Sequence, residues 1–600
     1  MAGHLVDIAI VASFVALGIA SGLRARRSAS RSLDDYFLAG RSVSGWRAGL
    51  SMAATQYAAD TPLLVTGLVA LGGIWSLWQL WVYGLAFLLL GFVLGGAWRR
   101  AGVLTDAQLT AQRYSGRGVL ALRVFKAIYY GTVINCVVMA FVLLAATRLF
   151  DVFLPWHAWL APGLHAPLVA LFGSVGAADT ALSMALILGF VALYSTTGGL
   201  RSVISTDVMQ FVVMLVGTGL YALFAVRAAG GLEPMLASVE RLYGEARASR
   251  MLGFLPPAGD ALLPFLAVIS MQWLFQVNSD GTGYLAQRTM ACASDRQARI
   301  AALVFTLAQV LVRSLLWLPI AIALLVLYPF DPDGPREGLA AARELGFVQG
   351  IDDWLPAGAR GLMLTGMLAA LASTIDTHLN WGASYWSNDL YKALWVERIR
   401  RREASARELV LVARISTLVV LAIAIAIMTH LDSIQRAWQV SLLFGAGIGG
   451  VLVLRWLWEK VNLQAEIASM AVSIVLAPVL LATVDAFWLQ LLAMSVASTL
   501  AVVVAARLGP PTDPALLAAF YRRVRPPGFW RESAIAAGDA PSHASAELRR
   551  SLAAVAAASL TVYGLLLGLG LMMVDRGSPA AWTASIAVAV VAIPFWWRRV

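Results

Sequence analysis

Charge is scarce in this chain. Only 13% of its 600 residues are charged and 60% are hydrophobic, whereas a soluble protein of this length carries about a quarter charged residues. A water-soluble fold is thereby excluded, and an all-α polytopic membrane protein is expected. Lysine is nearly absent: Lys126, Lys392 and Lys460 are the only three. None stands in a GxxxxGK[ST] context, so there is no phosphate-binding loop for a nucleotide. Cysteine is limited to Cys136 and Cys292, too few for a disulfide framework or a paired-cysteine metal site. The six histidines show no HExxH or related spacing, and no GxSxG element precedes a helix in a hydrolase-like context. Nothing in these absences argues for enzymatic chemistry, and the chain is expected not to be an enzyme.

What is present is arginine, and it sets a net charge of +11. A basic balance often signals nucleic acid, but here the arginines fall in alternate short loops and read as topology determinants, with no nucleic-acid partner. Arg24, Arg26, Arg27, Arg31 and Arg41 follow the first apolar stretch. Arg99, Arg100, Arg113, Arg117 and Arg123 follow the third, and Arg522, Arg523, Arg525 and Arg531 the thirteenth. The 150–178 connection carries neither Lys nor Arg. With roughly twenty apolar residues per crossing, the chain holds about fifteen spans. The positive-inside rule then places the N-terminus outside and the C-terminus in the cytoplasm of a cytoplasmic-membrane protein. Arg241, Arg247, Arg250, Arg336 and Arg343 fall in two longer outside loops, where the rule binds less strictly. The stretch from Leu5 to Leu23 has no basic start and reads as a retained span, not a cleaved leader.

Two spans are interrupted at mid-depth. The second, 46–70, breaks at Thr55-Gln56-Tyr57-Ala58-Ala59-Asp60-Thr61-Pro62; the seventh, 262–286, breaks at Asn278-Ser279-Asp280-Gly281-Thr282-Gly283. Proline removes a backbone donor and glycine weakens helix continuity. Backbone groups freed at membrane depth must be satisfied by protein, ion or water, so such breaks line a cavity. Matching breaks in two halves of a chain point to a transporter's central binding site.

The ninth span, 360–386, places Ala370, Ser373, Thr374 and Thr377 at i, i+3, i+4 and i+7, on one helix face. Hydroxyl oxygens on such a face are hard neutral ligands for an alkali cation. Serine and threonine also pack membrane helices against one another; the two breaks favour the ion site. Asp60, Asp207, Asp280 and Asp376 lie at or near embedded positions, where ionisable groups mark pathways, relays or sites. Asp207, near the start of the sixth span, suits a capping role equally well. Arg313, inside the eighth span, calls for a buried acidic partner.

At this point the residues resemble the sodium:solute symporter family. The likeness is carried by Asp35-Tyr36-Phe37-Leu38-Ala39-Gly40-Arg41, by Thr105 to Tyr114, by Gly198 to Gln210, by Gln287-Arg288-Thr289-Met290-Ala291 and by Ala370 to Thr377 with Asn388 to Lys392. The resemblance implies a leucine-transporter-like inverted repeat formed by spans two to eleven. It implies a sodium site made by the carbonyls of Ala53 and Gln56, the carbonyl of Ala370 and the hydroxyls of Ser373 and Thr374. A second ion or proton site would use Ser373, Asp376, Thr377 and Asp207; Asp376 stands where relatives with that site carry a hydroxyl residue. The solute would lie near Tyr57, Asp60, Trp273, Gln276, Asn278, Ser279 and Asp280, which match no one substrate pattern. The segment Phe444 to Gly450 lacks the proline often found there.

The expected architecture is a first span with its loop (1–45), a ten-helix transport core (46–454), two added spans (455–507), a cytoplasmic linker (508–550) with a short helix near Pro514 to Arg523, and a two-span hairpin (551–600). The expected function is secondary active symport of sodium, as coupling ion and not as a prosthetic group, with a small organic solute. The alternatives are a proton-coupled transporter and a solute sensor that does not transport.

Overall fold

Helices follow from the apolar runs, because a helix alone satisfies every backbone group within one segment at membrane depth. The computed structural model describes all residues except 1, 26–31, 258, 260, 335–337, 432–433 and 575–577. Arg26, Arg27, Arg31 and Arg336 of the arginine alternation therefore lie outside the described residues. Among the described residues, 11 helices are long and apolar enough to cross a bilayer core, from Ile74–Ala101 to Pro579–Trp597. The remaining four spans are less regular. They are Ala2–Ala25, the broken pair Gly45–Gln56 and Asp60–Gly72, segment 175–198, and the broken seventh span that begins with Leu262–Met271 and resumes as Tyr284–Ala291. The fifth and sixth spans meet at Gly199, whose φ of 57° and ψ of −171° suit only glycine. A feature not foreseen is the short helix Pro162–Phe172, which meets the fifth span at 99°.

Both breaks have local causes. In the second span the helix stops at Gln56 and restarts at Asp60. Asp60 complements the positive end of the new helix, and Pro62 sits in its first turn, where the missing N–H is an orphan anyway. In the seventh span Gly281 and Gly283 take φ of 90° and 102°. Asp280 Oδ1 accepts from the Thr282 amide at 2.9 Å, a side-chain turn of the kind aspartate favours.

Small residues bring the broken helices close to their neighbours. A Cβ added at Gly49 would lie 2.5 Å from the Ala301 carbonyl oxygen of the eighth span. One added at Gly449, in Ile434–Leu457, would lie 2.3 Å from the Gln276 amide nitrogen, and one at Gly445 2.8 Å from that of Val277. The glycine-rich segment that lacks the expected proline is thus the surface on which the seventh-span break rests. This close approach is the usual role of glycine between membrane helices.

Segment 508–550 folds against the helical body. It forms helices Pro514–Val524 and Arg531–Ala536. The buried Trp530 donates to the Trp456 carbonyl at 2.7 Å. Glu459 accepts from the amides of Glu532 and Ser533 at 3.1 and 2.9 Å. The Arg113 guanidinium lies 4.8 Å above the Trp530 ring. Helices His543–Met573 and Pro579–Trp597 pair with each other, and Thr561 donates to the Ala589 carbonyl at 3.0 Å.

Candidate functional site

The ninth span, Ala359–Tyr385, lays its hydroxyl face on the C-terminal end of helix Gly45–Gln56. Thr374 Oγ1 donates to the Thr55 carbonyl at 2.9 Å and to its own Ala370 carbonyl at 2.9 Å. Thr55 Oγ1 pairs with Thr377 Oγ1 at 2.9 Å. Ser373 Oγ donates to Asp207 Oδ1 at 2.6 Å. Of the residues named for sodium, Thr374 bonds the Ala370 carbonyl and the Thr55 carbonyl beside Gln56, Ser373 turns to Asp207, and Ala53, Ala370, Ser373 and Thr374 are all buried. The Ala53 carbonyl also takes the Tyr57 amide at 2.9 Å. The Gln56 carbonyl accepts from Arg313 Nη1 at 2.6 Å. The buried acid nearest in charge to Arg313 is Asp60, but among the described residues no ion pair joins them: the hydrogen bond of Arg313 goes to a freed carbonyl, and its guanidinium stacks 4.5 Å from the Trp317 ring.

Asp207 is fully buried and bridges three spans, which goes beyond a capping role. It accepts from Ser51 at 2.5 Å and from Ser373 at 2.6 Å. Arg288 from the end of the seventh span faces it at 3.8 Å. The same guanidinium donates to Thr377 Oγ1 at 2.6 Å and to Gln287 Oε1 at 3.0 Å, and Gln287 donates onward to Asn380 at 2.9 Å. Asp376 is buried within range of the Arg288 charge. A cation belonging to the chain thus stands beside the residues named for a second ion.

Between the two breaks lies a cavity of about 180 Å³. Asp60, Gln276 and Asn278 line it, as do Gln56, Gln309, Arg313, Tyr284, Trp381 and Trp438. Tyr57, Trp273, Ser279 and Asp280 do not. The Tyr57 hydroxyl pairs with Thr218 and accepts from Trp317. Trp273 lines an outer groove with Leu266 and Trp488. Ser279 donates to the Gly449 carbonyl at 2.7 Å. Asp280 Oδ2 accepts from Arg455 at 2.7 Å and from Trp456 Nε1 at 2.8 Å.

Sequence reasoning missed Gln309, Trp381 and Trp438. A signal for the first existed: Gln309 and Arg313 are four residues apart in an otherwise apolar run, on one face of the span. Between Leu307 and Val312 that span widens into a π-helical stretch, a distortion that recurs at functional sites.

Two broken spans, a hydroxyl-bearing contact between one of them and an intact helix, and a cavity with both polar and apolar walls between the breaks are the features of a secondary transporter's central site. The comparisons with known proteins agree. The model of the sodium:solute symporter family matches residues 36–178 and 169–473, and the chain belongs to that family. It is 24% identical over 503 residues to a sodium/glucose cotransporter 4 of Danio rerio, covering 78% of this chain and 70% of that one. It is 25% identical over 493 residues to a sodium/glucose cotransporter of Vibrio parahaemolyticus, covering 78% and 84%. A solved Na+-coupled sialic acid symporter in a substrate-bound outward-open state superposes with a TM-score of 0.64 at 19% identity, covering 85% of this chain and 99% of that one. The protein is a sodium-coupled solute symporter with a leucine-transporter-like fold, and neither the proton-coupled nor the sensor alternative is favoured.

Proposed function

We propose that sodium binds among the carbonyls of Ala53, Gln56 and Ala370 and the hydroxyls of Ser373 and Thr374, and that the solute binds in the cavity lined by Asp60, Gln276 and Asn278. The observation that carries this reading is the Thr374 hydroxyl, which spans the Thr55 and Ala370 carbonyls at 2.9 Å each. The hydroxyl thus holds the end of the broken span against the ninth, and an alkali ion there is bound by the lone pairs of the Thr374 oxygen and of nearby carbonyls, the hydroxyl keeping its proton. An ion held there fastens the broken second span to the ninth and favours the solute-holding conformation; one bundle then rocks against the other.

At the second locus Asp207, Asp376 and Thr377 are read as a fixed charge relay in which Arg288 supplies the positive charge. This gives one sodium per cycle. The arginine alternation supports a multi-pass placement in the cytoplasmic membrane with the N-terminus outside. One sodium entering down 100 mV contributes about 2.3 kcal/mol, enough for a roughly fifty-fold solute gradient before any sodium gradient is added.

The test is equilibrium binding of ²²Na⁺ to the purified protein. The wild type is expected to saturate with a Hill coefficient near one. Ser373→Ala combined with Thr374→Ala is expected to raise the half-saturating concentration about tenfold or more, the scale of lost contacts to a charged group. An unchanged isotherm in the double variant would rule this site out.

A further inference from the structure

The cavity between the breaks holds opposite charges that do not meet. Asp60 and Arg313 both line it and lie within range of each other's charge. Among the described residues no ion pair within 4.0 Å joins them. Asp60 Oδ1 is buried without a hydrogen-bond partner, and so are Arg313 Nε, Gln309 Oε1 and the Tyr284 hydroxyl. All four side chains are more than nine-tenths buried. Two are acceptors on one hand and two offer donors on the other.

A charge without a counter-charge is costly at this depth even after relaxation. The solute that belongs here relieves that cost. A neutral sugar supplies hydrogen bonds but no counter-charge. A simple anion answers Arg313 and leaves Asp60 facing its own sign. A molecule bearing an ammonium and a carboxylate answers both charges at once. The volume of about 180 Å³ restricts it to a small molecule, well under the roughly 300–1,000 Å³ of drug-sized sites. The rings of Trp381, Trp438 and Tyr83 complete the wall, and aromatic faces favour an ammonium or a short apolar side chain.

We propose that the transported solute is a small zwitterion of the α-amino-acid class, its ammonium on Asp60 and Gln309 Oε1 and its carboxylate on Arg313 and the Tyr284 hydroxyl. The proposal rests on the sodium-symport reading of the same cavity and narrows its substrate. Asp280, the other carboxylate in a break, is excluded from the role because Arg455 already neutralises it.

The experiment reconstitutes the full chain in proteoliposomes with an inward sodium gradient. The radiolabelled probes are a panel of small neutral α-amino acids, with D-glucose and pyruvate beside them. At least one amino acid is expected to accumulate tenfold or more over the sodium-free control, and neither D-glucose nor pyruvate to do so. Asp60→Asn is expected to lower that uptake at least tenfold while ²²Na⁺ binding persists, which shows that the variant is folded. Arg313→Lys, which keeps the charge, is expected to retain more uptake than Arg313→Gln. Accumulation of D-glucose or pyruvate alone overturns the zwitterion and leaves sodium symport standing. So does ²²Na⁺ binding with no movement of any amino acid, or amino-acid uptake indifferent to Asp60→Asn. Loss of ²²Na⁺ binding in the wild type would instead sink the sodium site itself.

Discussion

Around Asp207 the arrangement is set by single side chains. Two serine hydroxyls and one guanidinium converge on a carboxylate with no access to water. Burial of two opposite charges is sustained only when both are paired and further hydrogen-bonded, and removal of one partner costs about 3–5 kcal/mol. Arg288→Gln is therefore expected to lower the thermal midpoint by several degrees, measured with the purified protein in detergent. Arg288→Lys, which keeps the charge but loses the fork that reaches Thr377 and Gln287, is expected to fall between the two. The family resemblance implied the grouping of Asp207 with Ser373 and Thr377, but the part played by Arg288 was not legible in the sequence. Gln287-Arg288 was visible as part of a family motif, but the distance from Arg288 to Asp207 depends on how the end of the seventh span crosses the sixth. Asp207 itself, near a helix start, read as a cap just as easily.

Helices and their breaks form the next scale. Tyr57 to Pro62 and Asn278 to Gly283 declared themselves because proline, glycine and aspartate act on the backbone of their own segment. Which side chains the breaks turn inward was not declared: Asp60 and Asn278 reach the cavity, whereas Ser279 and Asp280 turn to the eleventh span and its end. The eleventh span approaches so closely because Gly445 and Gly449 carry no side chain. A methyl at Gly449 meets backbone at 2.3 Å, which cannot yield by rotamer change. Gly449→Ala is expected to destabilise by about 1–3 kcal/mol, the usual cost of overpacking, and to cut the maximal rate of sodium-driven uptake more than it changes sodium affinity. Equal loss in Gly219→Ala, where an added Cβ meets nothing within 4 Å, would show that glycine content and not close approach is what matters.

Across the whole molecule, a buried ionic chain runs through five separate segments. Asp280 of the seventh span pairs with Arg455 at the end of the eleventh at 2.7 Å, and Arg455 faces Glu466 of the twelfth at 3.3 Å. Glu466 pairs with Lys126 of the fourth at 2.7 Å, and Lys126 faces Asp106 of the preceding loop at 3.4 Å. All five side chains are at most 1% exposed. Lys126→Met leaves Glu466 with one counter-charge in place of two, and a loss of about 3–5 kcal/mol is expected. The double variant Lys126→Met, Glu466→Gln is expected to recover part of it, as read by thermal unfolding. Segment 508–550 is tied to the same end through Trp530. Trp530→Ala is expected to cost about 3–5 kcal/mol, typical of a buried tryptophan, and to expose 514–536 to limited proteolysis.

By itself the sequence determined everything that depends on one segment and its solvent. Fifteen apolar runs, the loop positions of the arginines, two interrupted helices and a hydroxyl face at helical spacing follow from hydrophobic length, backbone chemistry and a period of 3.6 residues. Tertiary structure alone decided what each buried charge meets. Arg313 caps the Gln56 carbonyl, Arg288 sits beside Asp207 and Arg455 takes Asp280. In a low-dielectric interior an ionised group is costly without a partner, and the groups that answer one another lie far apart along the chain.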